Sequence, residues 1–274
     1  MNILKGLNSN TFNYLESQRD LLGLEDEAEL RTFDFTNPSA KLTTQVFYRE
    51  CIRINKPCVF KGLANEWPVT KNTAAKENGT EEFKNVFGDE PISVYTSQAH
   101  DPKHKKVQSR THSFQTSAKN KYSYDYFLRK QKKDPNEVNI MEKNSNITDK
   151  LRSEIIYPEF YDVIADVRSI DFYQGAHFVT KPHYDRQEQI MCAVDGSLSV
   201  MLVPHIYRQE VYADDLKGSL YFDKKMLSKD QPNVSPVNFF IPNLTKYPYF
   251  ADVQKFNAKL KKGDCVFIPA YFFH

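Results

Sequence analysis

The stretch Thr180-Lys181-Pro182-His183-Tyr184-Asp185 carries a histidine and an aspartate that are two residues apart. On a β-strand, residues with this spacing point to the same face, so both side chains can bind one metal ion. His274 is the candidate third ligand, because it ends an apolar, aromatic run over 263–274 that is typical of a buried strand. Two histidines and one carboxylate leave metal positions open, as in non-haem iron(II) oxygenases.

The composition is that of a globular chain of 274 residues, long enough for one large core or two modest ones. Lys+Arg 37 and Asp+Glu 35 nearly cancel, so the net charge gives no general argument for a nucleic-acid or membrane partner. The aromatic content, mainly Tyr 16 and Phe 20, favours a sheet-rich domain over a helical bundle.

The cysteines and the N-terminal sequence indicate the cellular compartment in which the protein is found. Cys51, Cys58, Cys192 and Cys265 form no CxxC pair, which predicts reduced thiols in a reducing compartment. The polar N-terminal sequence has no leader-like apolar region, and no apolar run approaches bilayer length. We therefore expect a cytoplasmic protein without a membrane partner, with a large cytoskeletal or other assembly as one setting.

The chain divides into an N-terminal extension, 1–42, and a main domain, 43–274. Leucines at loosely helical spacing predict helical segments in the extension, and a partly ordered segment is the alternative. In the main domain the patterns predict helices and then short strands, typical of a sandwich or small barrel. The predicted helices are 43–54, 81–87 and 149–156, and the strands are 58–60, 92–95, 167–173, 178–184, 189–194, 198–204 and the run before His274. A polar insertion covers 206–242.

The segment 100–133 has ten basic and two acidic residues. The interpretation we favour is a solvated surface, because most charge runs serve solubility. The alternative is a binding surface for an acidic peptide, a tubulin-like tail or RNA, and interleaved tyrosines keep this alternative open. We expect a protein partner or protein substrate, an acidic one if it binds here, and we disfavour nucleic acid.

Several further motifs accompany the candidate ligands. They are Phe47-Tyr48-Arg49-Glu50, Lys56-Pro57-Cys58-Val59-Phe60-Lys61, Trp67-Pro68, Asp195-Gly196 and Gly263-Asp264-Cys265-Val266-Phe267-Ile268-Pro269. Together with His183-Tyr184-Asp185 and His274, they resemble the cupin-like JmjC family, particularly the small JmjC lysyl hydroxylases and the asparaginyl hydroxylase that inhibits hypoxia-inducible factor.

The resemblance implies a mainly β fold with flanking helices, a double-stranded β-helix or jelly roll. It also implies Fe(II) and 2-oxoglutarate as cofactors for hydroxylation of a protein side chain. By motif position, His183, Asp185 and His274 would bind the metal, and Thr180 would contact the distal carboxylate of 2-oxoglutarate. Family members continue beyond the second histidine with at least one strand that closes the barrel. We expect this sequence to be a fragment that lacks it, and a barrel that closes differently is the alternative.

The chain departs from the family at the positions that contact the cosubstrate. The family lysine thirteen residues after the aspartate, which pairs with the distal carboxylate, is replaced by Leu198. Gln189 and Met191 stand where the family has an asparagine and a tyrosine. Burying a carboxylate without a cationic partner costs several kcal/mol of desolvation free energy. These changes therefore argue against 2-oxoglutarate binding.

Other residues near the ligand pair are weaker candidates. Lys181 and Arg186 lie at odd offsets from His183, so on a regular strand they face away from the metal. His177 shares the strand face of His183 and is either a rim residue, which we favour, or an extra ligand.

Three functions fit these observations. The first is a JmjC-fold protein that keeps the iron ligands, is catalytically impaired and serves as an interaction or structural subunit of a larger assembly. The second is an active Fe(II)- and 2-oxoglutarate-dependent protein side-chain hydroxylase. The third is a cupin-like protein with different metal chemistry, such as a zinc site, and the identity of the bound metal distinguishes it.

Overall fold

The computed structural model describes residues 29–37, 41–74, 83–96, 119–133, 138–143, 146–162, 166–176, 180, 182–213 and 233–274. The strands in these ranges are β1 (Arg31–Asp34), β2 (Cys58–Lys61), β3 (Ile92–Thr96), β4 (Lys119–Tyr122), β5 (Val138–Lys143), β6 (Asp171–Gly175), β7 (Gln189–Cys192), β8 (Ser197–Leu202), β9 (Phe256–Lys261) and β10 (Cys265–Ile268). The helices are α1 (Thr44–Phe47), α2 (Pro68–Ala74), α3 (Phe83–Phe87), α4 (Tyr124–Lys133), α5 (Asn146–Lys150) and α6 (Glu159–Asp162). A π-helical turn (Tyr48–Ile52) continues α1, and a 3-10 turn (Leu151–Glu154) continues α5.

The strands form three sheets, in the orders β1-β2-β10-β7, β4-β3-β5-β6 and β8-β9. Isolated bridges extend the β8-β9 ladder, because Phe273 pairs with Val203 on one side and with Tyr184 on the other. A further bridge joins His183 to Val234. The segment that ends in His274 therefore lies between the end of β8 and the segment 182–185, so the two predicted histidine ligands are on neighbouring strands.

Strand β10 separates two hydrophobic cores. Val266 and Ile268 pack into the inner core, which includes the apolar residues of β8 and β9. Cys265 and Phe267, which alternate with them, pack into the helix core against α1, α3 and α4. Burial on both faces explains why this strand is a continuous apolar run rather than an alternating pattern.

The helix core is rich in aromatic contacts centred on Phe47 of α1. Its ring centroid lies 5.0 Å from that of Phe160, 5.2 Å from that of Phe267 and 5.8 Å from that of Phe60. Each fully buried phenylalanine contributes about 2–3 kcal/mol of hydrophobic stabilisation. These contacts fix the helices against the outer face of the sheet that contains β10.

The predicted mainly β fold with flanking helices is confirmed, and the predicted strands 58–60 and 92–95 correspond to β2 and β3. The prediction for the N-terminal extension is wrong in its described part, because Arg31–Asp34 is a strand that pairs in parallel with β2. Residues 1–28 lie outside the described ranges. Sequence reasoning also missed β9, although its burial alternates regularly between buried and exposed residues.

The prediction of reduced thiols is wrong in this structure. Disulfides join Cys51 to Cys58 and Cys192 to Cys265. Cys192 and Cys265 are direct partners on β7 and β10, with Cα atoms 4.0 Å apart. The spacing of the two cysteines in the sequence gave no sign of this pairing, which results from the register of the two strands.

Among the described helices, none combines the length and apolar character that a membrane span requires.

Candidate metal centre

Three side chains converge at the centre of the extended ladder: His183, Asp185 and His274 each offer a ligand atom, and these atoms all lie within 4.8 Å of one another. Asp185 Oδ2 is 3.7 Å from Nε2 of His183 and 3.8 Å from Nε2 of His274. A metal ion about 2.1 Å from each ligand atom places neighbouring ligands about 3 Å apart. The two distances from Asp185 to the histidines would therefore contract by about 1 Å to hold one ion.

Backbone hydrogen bonds on both sides fix the segment that carries His183 and Asp185. On one side the amide of Tyr184 donates to Asn233 O (3.0 Å), and the amide of Ser235 donates to Pro182 O (2.8 Å). On the other side the amide of Tyr271 donates to Asp185 O (2.8 Å). Both ligands of this segment thus lie on paired backbone rather than on a loose loop.

His274 is held in the tautomer that a metal ligand needs. Its Nδ1 lies 3.0 Å from Phe272 O, which can only accept a hydrogen bond, so Nδ1 carries the proton. Nε2 then carries the lone pair that can bind a metal ion, and it lies 3.8 Å from Asp185 Oδ2. The side chain of His274 is 5% exposed, whereas those of His183 and Asp185 are 21% and 35% exposed. The site therefore opens to solvent on the side of Asp185.

Gln189, the first residue of β7, donates a hydrogen bond from Nε2 to Asp185 Oδ2 at 2.6 Å. Because an ionised carboxylate only accepts hydrogen bonds, the amide nitrogen must face it. Sequence reasoning placed Gln189 on the cosubstrate, whereas the structure places it on a candidate metal ligand.

Strand pairing places Leu198 on the same face of the sheet as the ligands. Val203 and Tyr184 both pair with Phe273, so these three share one face. Neighbouring residues alternate in strands, so the three ligands and the even-numbered positions of β8 share the opposite face. Those positions and their partners on β9 form an apolar wall, Leu198-Leu260, Val200-Ala258 and Leu202-Phe256.

The apolar wall offers no cation to a cosubstrate. Lys259 and Lys261 of β9 are exposed on the opposite face, and the described residues of β8 include no basic side chain. Met191 is partly buried against the inner core, as is Leu198. A distal carboxylate placed against this wall would lack a partner, so the residues present do not fit the usual anchoring of 2-oxoglutarate.

The remaining candidates contribute less. Thr180 is partly buried, and Arg186 is exposed. Lys181 and His177 lie outside the described residues. Burial raises the pKa of the Glu188 carboxyl. Burial first, and then the charge of Glu188, raise the pKa of Tyr161, which packs against the helix core. Among the described residues, Glu188 does not belong to the group of side chains that could hold the metal ion.

Comparison with known proteins gives one family match, in which residues 43–274 match the cupin-like domain family. The human tRNA wybutosine-synthesizing protein 5 is 28% identical over 130 residues, which are 45% of this chain and 34% of that protein. The human bifunctional peptidase and (3S)-lysyl hydroxylase JMJD7 is 21% identical over 247 residues, 83% of this chain and 75% of that protein. JmjC domain-containing protein E of Dictyostelium discoideum is 23% identical over 278 residues, 85% of this chain and 76% of that protein. The match therefore spans about a third of the first relative and three quarters of the other two.

Proposed function

The chain belongs to the cupin-like domain family, and from that premise we propose that it is a metal-binding JmjC-type protein impaired in 2-oxoglutarate chemistry that serves as an interaction subunit of a larger assembly. The observation that carries this proposal is the combination, on one face of one sheet, of a complete set of metal ligands with the apolar wall at Leu198.

The donor set supports Fe(II) as the metal. Two imidazole nitrogens and one carboxylate oxygen form the facial arrangement that non-haem iron proteins use, with further positions left open. When bound, such an ion supplies a Lewis acid to which small ligands can bind. The chain itself contributes the orientation of the donors, through the His274 tautomer and the paired backbone of 182–185.

The apolar wall supports impaired catalysis. Removing one partner of a buried charge pair costs roughly 2–5 kcal/mol, which is about two to three decades in affinity. With Leu198 and its partner Leu260 on the ligand face, 2-oxoglutarate would bind weakly unless a cation reaches it from elsewhere. We therefore expect the Kd for 2-oxoglutarate to be well above that of a site with the usual cationic partner.

An active Fe(II)- and 2-oxoglutarate-dependent protein hydroxylase is the second candidate. The ordered ligand set favours it, since a pure interaction module has no need of an oriented His274 and a hydrogen-bonded Asp185. The printed name of one relative, a lysyl hydroxylase, agrees with it. A lysine side chain of a protein is the substrate that this candidate would take.

The experiment that separates the two candidates is an anaerobic titration of the protein with Fe(II) and then with 2-oxoglutarate, followed by visible absorption. Iron binding without the charge-transfer band of a chelated 2-oxo acid supports the proposal. A band that saturates at micromolar 2-oxoglutarate would support the hydroxylase instead. Failure to bind Fe(II) with preference for Zn(II) would favour a closed zinc site.

The partner we propose is a protein with an acidic segment, bound at helix α4. Four of its basic side chains are exposed, while its one acidic residue, Asp125, pairs with Lys84. These basic residues are Arg129, Lys130, Lys132 and Lys133. Residues 100–118 of the predicted basic segment lie outside the described ranges. Salt-dependent binding of a polyglutamate peptide, lost in Lys130→Glu/Lys132→Glu, is the expected result, whereas preference for single-stranded RNA contradicts it.

A cytoplasmic location, within a cytoskeletal or other large assembly, is also part of this proposal. The two disulfides provide its test, because structural disulfides are rare in cytosolic proteins. Thiol labelling of the cellular protein, followed by mass spectrometry, determines whether the two pairs are oxidised in the cell, and reduced cysteines there would support the cytoplasmic location. Oxidised pairs in that sample would argue for an oxidising compartment.

A further inference from the structure

We propose that Gln189 is a positioning residue for the metal centre, because its amide holds the Asp185 carboxylate with one oxygen facing both histidines. The inference rests on the proposed function, since it takes Asp185 to be a metal ligand. It assigns to Gln189 a role in metal affinity and coordination geometry rather than in cosubstrate contact.

The first support is the identity of the bonded oxygen. Gln189 Nε2 donates to Oδ2, the same oxygen that lies 3.7 Å and 3.8 Å from the two histidine Nε2 atoms. A carboxylate oxygen has two lone pairs, so it can accept this hydrogen bond and still offer the other lone pair to a metal ion. The terminal torsion of an aspartate is soft, so without the amide the carboxylate can rotate away from this orientation.

The second support is the strength of the contact. A hydrogen bond to an ionised carboxylate is roughly twice as strong as one between neutral groups, and 2.6 Å is at the short end of the range. Among the described residues, Gln189 is the only one that donates a hydrogen bond to this carboxylate. Its partial burial reduces competition from water for the contact.

The third support is the rigidity of the strand that carries Gln189. Gln189 pairs with Ile268 of β10, and the disulfide between Cys192 and Cys265 joins the same two strands three residues further along. Asp185 lies in the segment that extends the β8-β9 sheet, where the Tyr271 amide donates a hydrogen bond to its carbonyl oxygen. The backbone of Asp185 is therefore held by its own sheet and its carboxylate by the facing sheet.

The test compares Co(II) binding by the full wild-type chain with Co(II) binding by the Gln189→Met variant. Methionine keeps the length of the side chain but removes the amide that donates the hydrogen bond to Asp185. Gln209→Met is the matched control, because Gln209 is exposed in a turn. We expect Gln189→Met to weaken Co(II) binding about 10- to 100-fold, the usual effect of losing a group that orients a ligand. The visible Co(II) spectrum should also change, because a released carboxylate can bind through both oxygens.

Each outcome bears on the inference. A Gln189→Met variant with Co(II) affinity within about twofold of the wild type and the same spectrum would overturn it. If the wild type itself binds no Co(II), the proposed function and this inference both fail, whereas equal affinities remove only the inference. Circular dichroism of the metal-free proteins checks the fold. If the methionine variant unfolds, Gln189→Ala, which adds no bulk, gives the same comparison.

Discussion

His183 and His274 are joined by two reciprocal backbone hydrogen bonds, from the His183 amide to His274 O at 3.0 Å and from the His274 amide to His183 O at 2.8 Å. The two residues are about ninety positions apart in the sequence. Their imidazole rings, with centroids 4.5 Å apart, are therefore set side by side by the sheet itself. A site built on paired strands in this way keeps its two histidines side by side without a bound ion.

Asp185→Ala should abolish the stabilisation of the protein by a divalent metal. An ion at about 100 times its Kd stabilises the folded state by about 2.7 kcal/mol, which raises Tm by roughly 5–10 °C for a domain of this size. Differential scanning fluorimetry with and without Fe(II) or Co(II) measures this. Asp195→Ala, which removes an exposed carboxylate paired with Lys262, is the control and should keep the full shift. An Asp185→Ala variant that also keeps the shift would remove Asp185 from the ligand set.

Leu198→Lys should create or strengthen binding of 2-oxoglutarate. The new ammonium would lie on the ligand face of β8, where a distal carboxylate needs a partner, and we expect at least a tenfold gain in affinity. Calorimetric titration of the metal-loaded protein measures it. Ser199→Lys places the same charge on the exposed face of β8 and should give no gain. Equal affinities of the two variants would show that the lysine does not reach the cosubstrate.

Glu210→Gln should stabilise the protein at neutral pH. Burial, which is the largest cause, and the charge of Asp252 raise the pKa of Glu210 above its usual value of 4.5, and its Oε2 is buried without a hydrogen-bond partner among the described residues. Since the folded-state pKa is raised, the favourable contribution of Glu210 is present below the unfolded-state pKa. It is lost as the pH rises through the folded-state pKa.

At neutral pH the charged form of Glu210 is disfavoured by its buried position, so its replacement should raise the free energy of unfolding and with it Tm. The gain should vanish near pH 4, where the carboxyl is protonated. Thermal unfolding at several pH values measures this, with the exposed Glu159→Gln as control. A gain that persists unchanged at low pH would contradict the electrostatic cause.

Loss of the disulfide between Cys192 and Cys265 should cost more stability than loss of the one between Cys51 and Cys58. Their sequence separations are 73 and 7 residues. From loop-closure entropy the costs are about 4 and about 2 kcal/mol. Urea unfolding of Cys192→Ala/Cys265→Ala and Cys51→Ala/Cys58→Ala measures both. The reverse order, or no loss in either pair under oxidising conditions, would contradict the pairing.

Much of the fold was predictable because its signals are local. The run over 263–268, with a glycine turn and then apolar residues, predicted β10, and the helical spacing from Thr43 predicted a helix where the structure has α1 and then a π-helical turn. Thr43 caps α1 by accepting a hydrogen bond from the Val46 amide, as its side chain and position favour. In contrast, β1 lies in a segment whose leucines suggested a helix, and it becomes a strand by pairing with β2.

The sequence by itself determined which side chains could act, because the spacing of His183 and Asp185 sets them on one strand face. The apolar run before His274 predicted the buried strand β10, but β10 ends at Ile268 and a turn carries the chain from it to His274. Only the tertiary structure decided which of these side chains meet. The contact of Gln189 with Asp185, the pairing of Cys192 with Cys265 and the position of Leu198 on the ligand face all follow from the register of distant strands. Strand register depends on the packing of the whole core, so a shift of one residue, which leaves every local pattern unchanged, would turn each of these side chains to the other face.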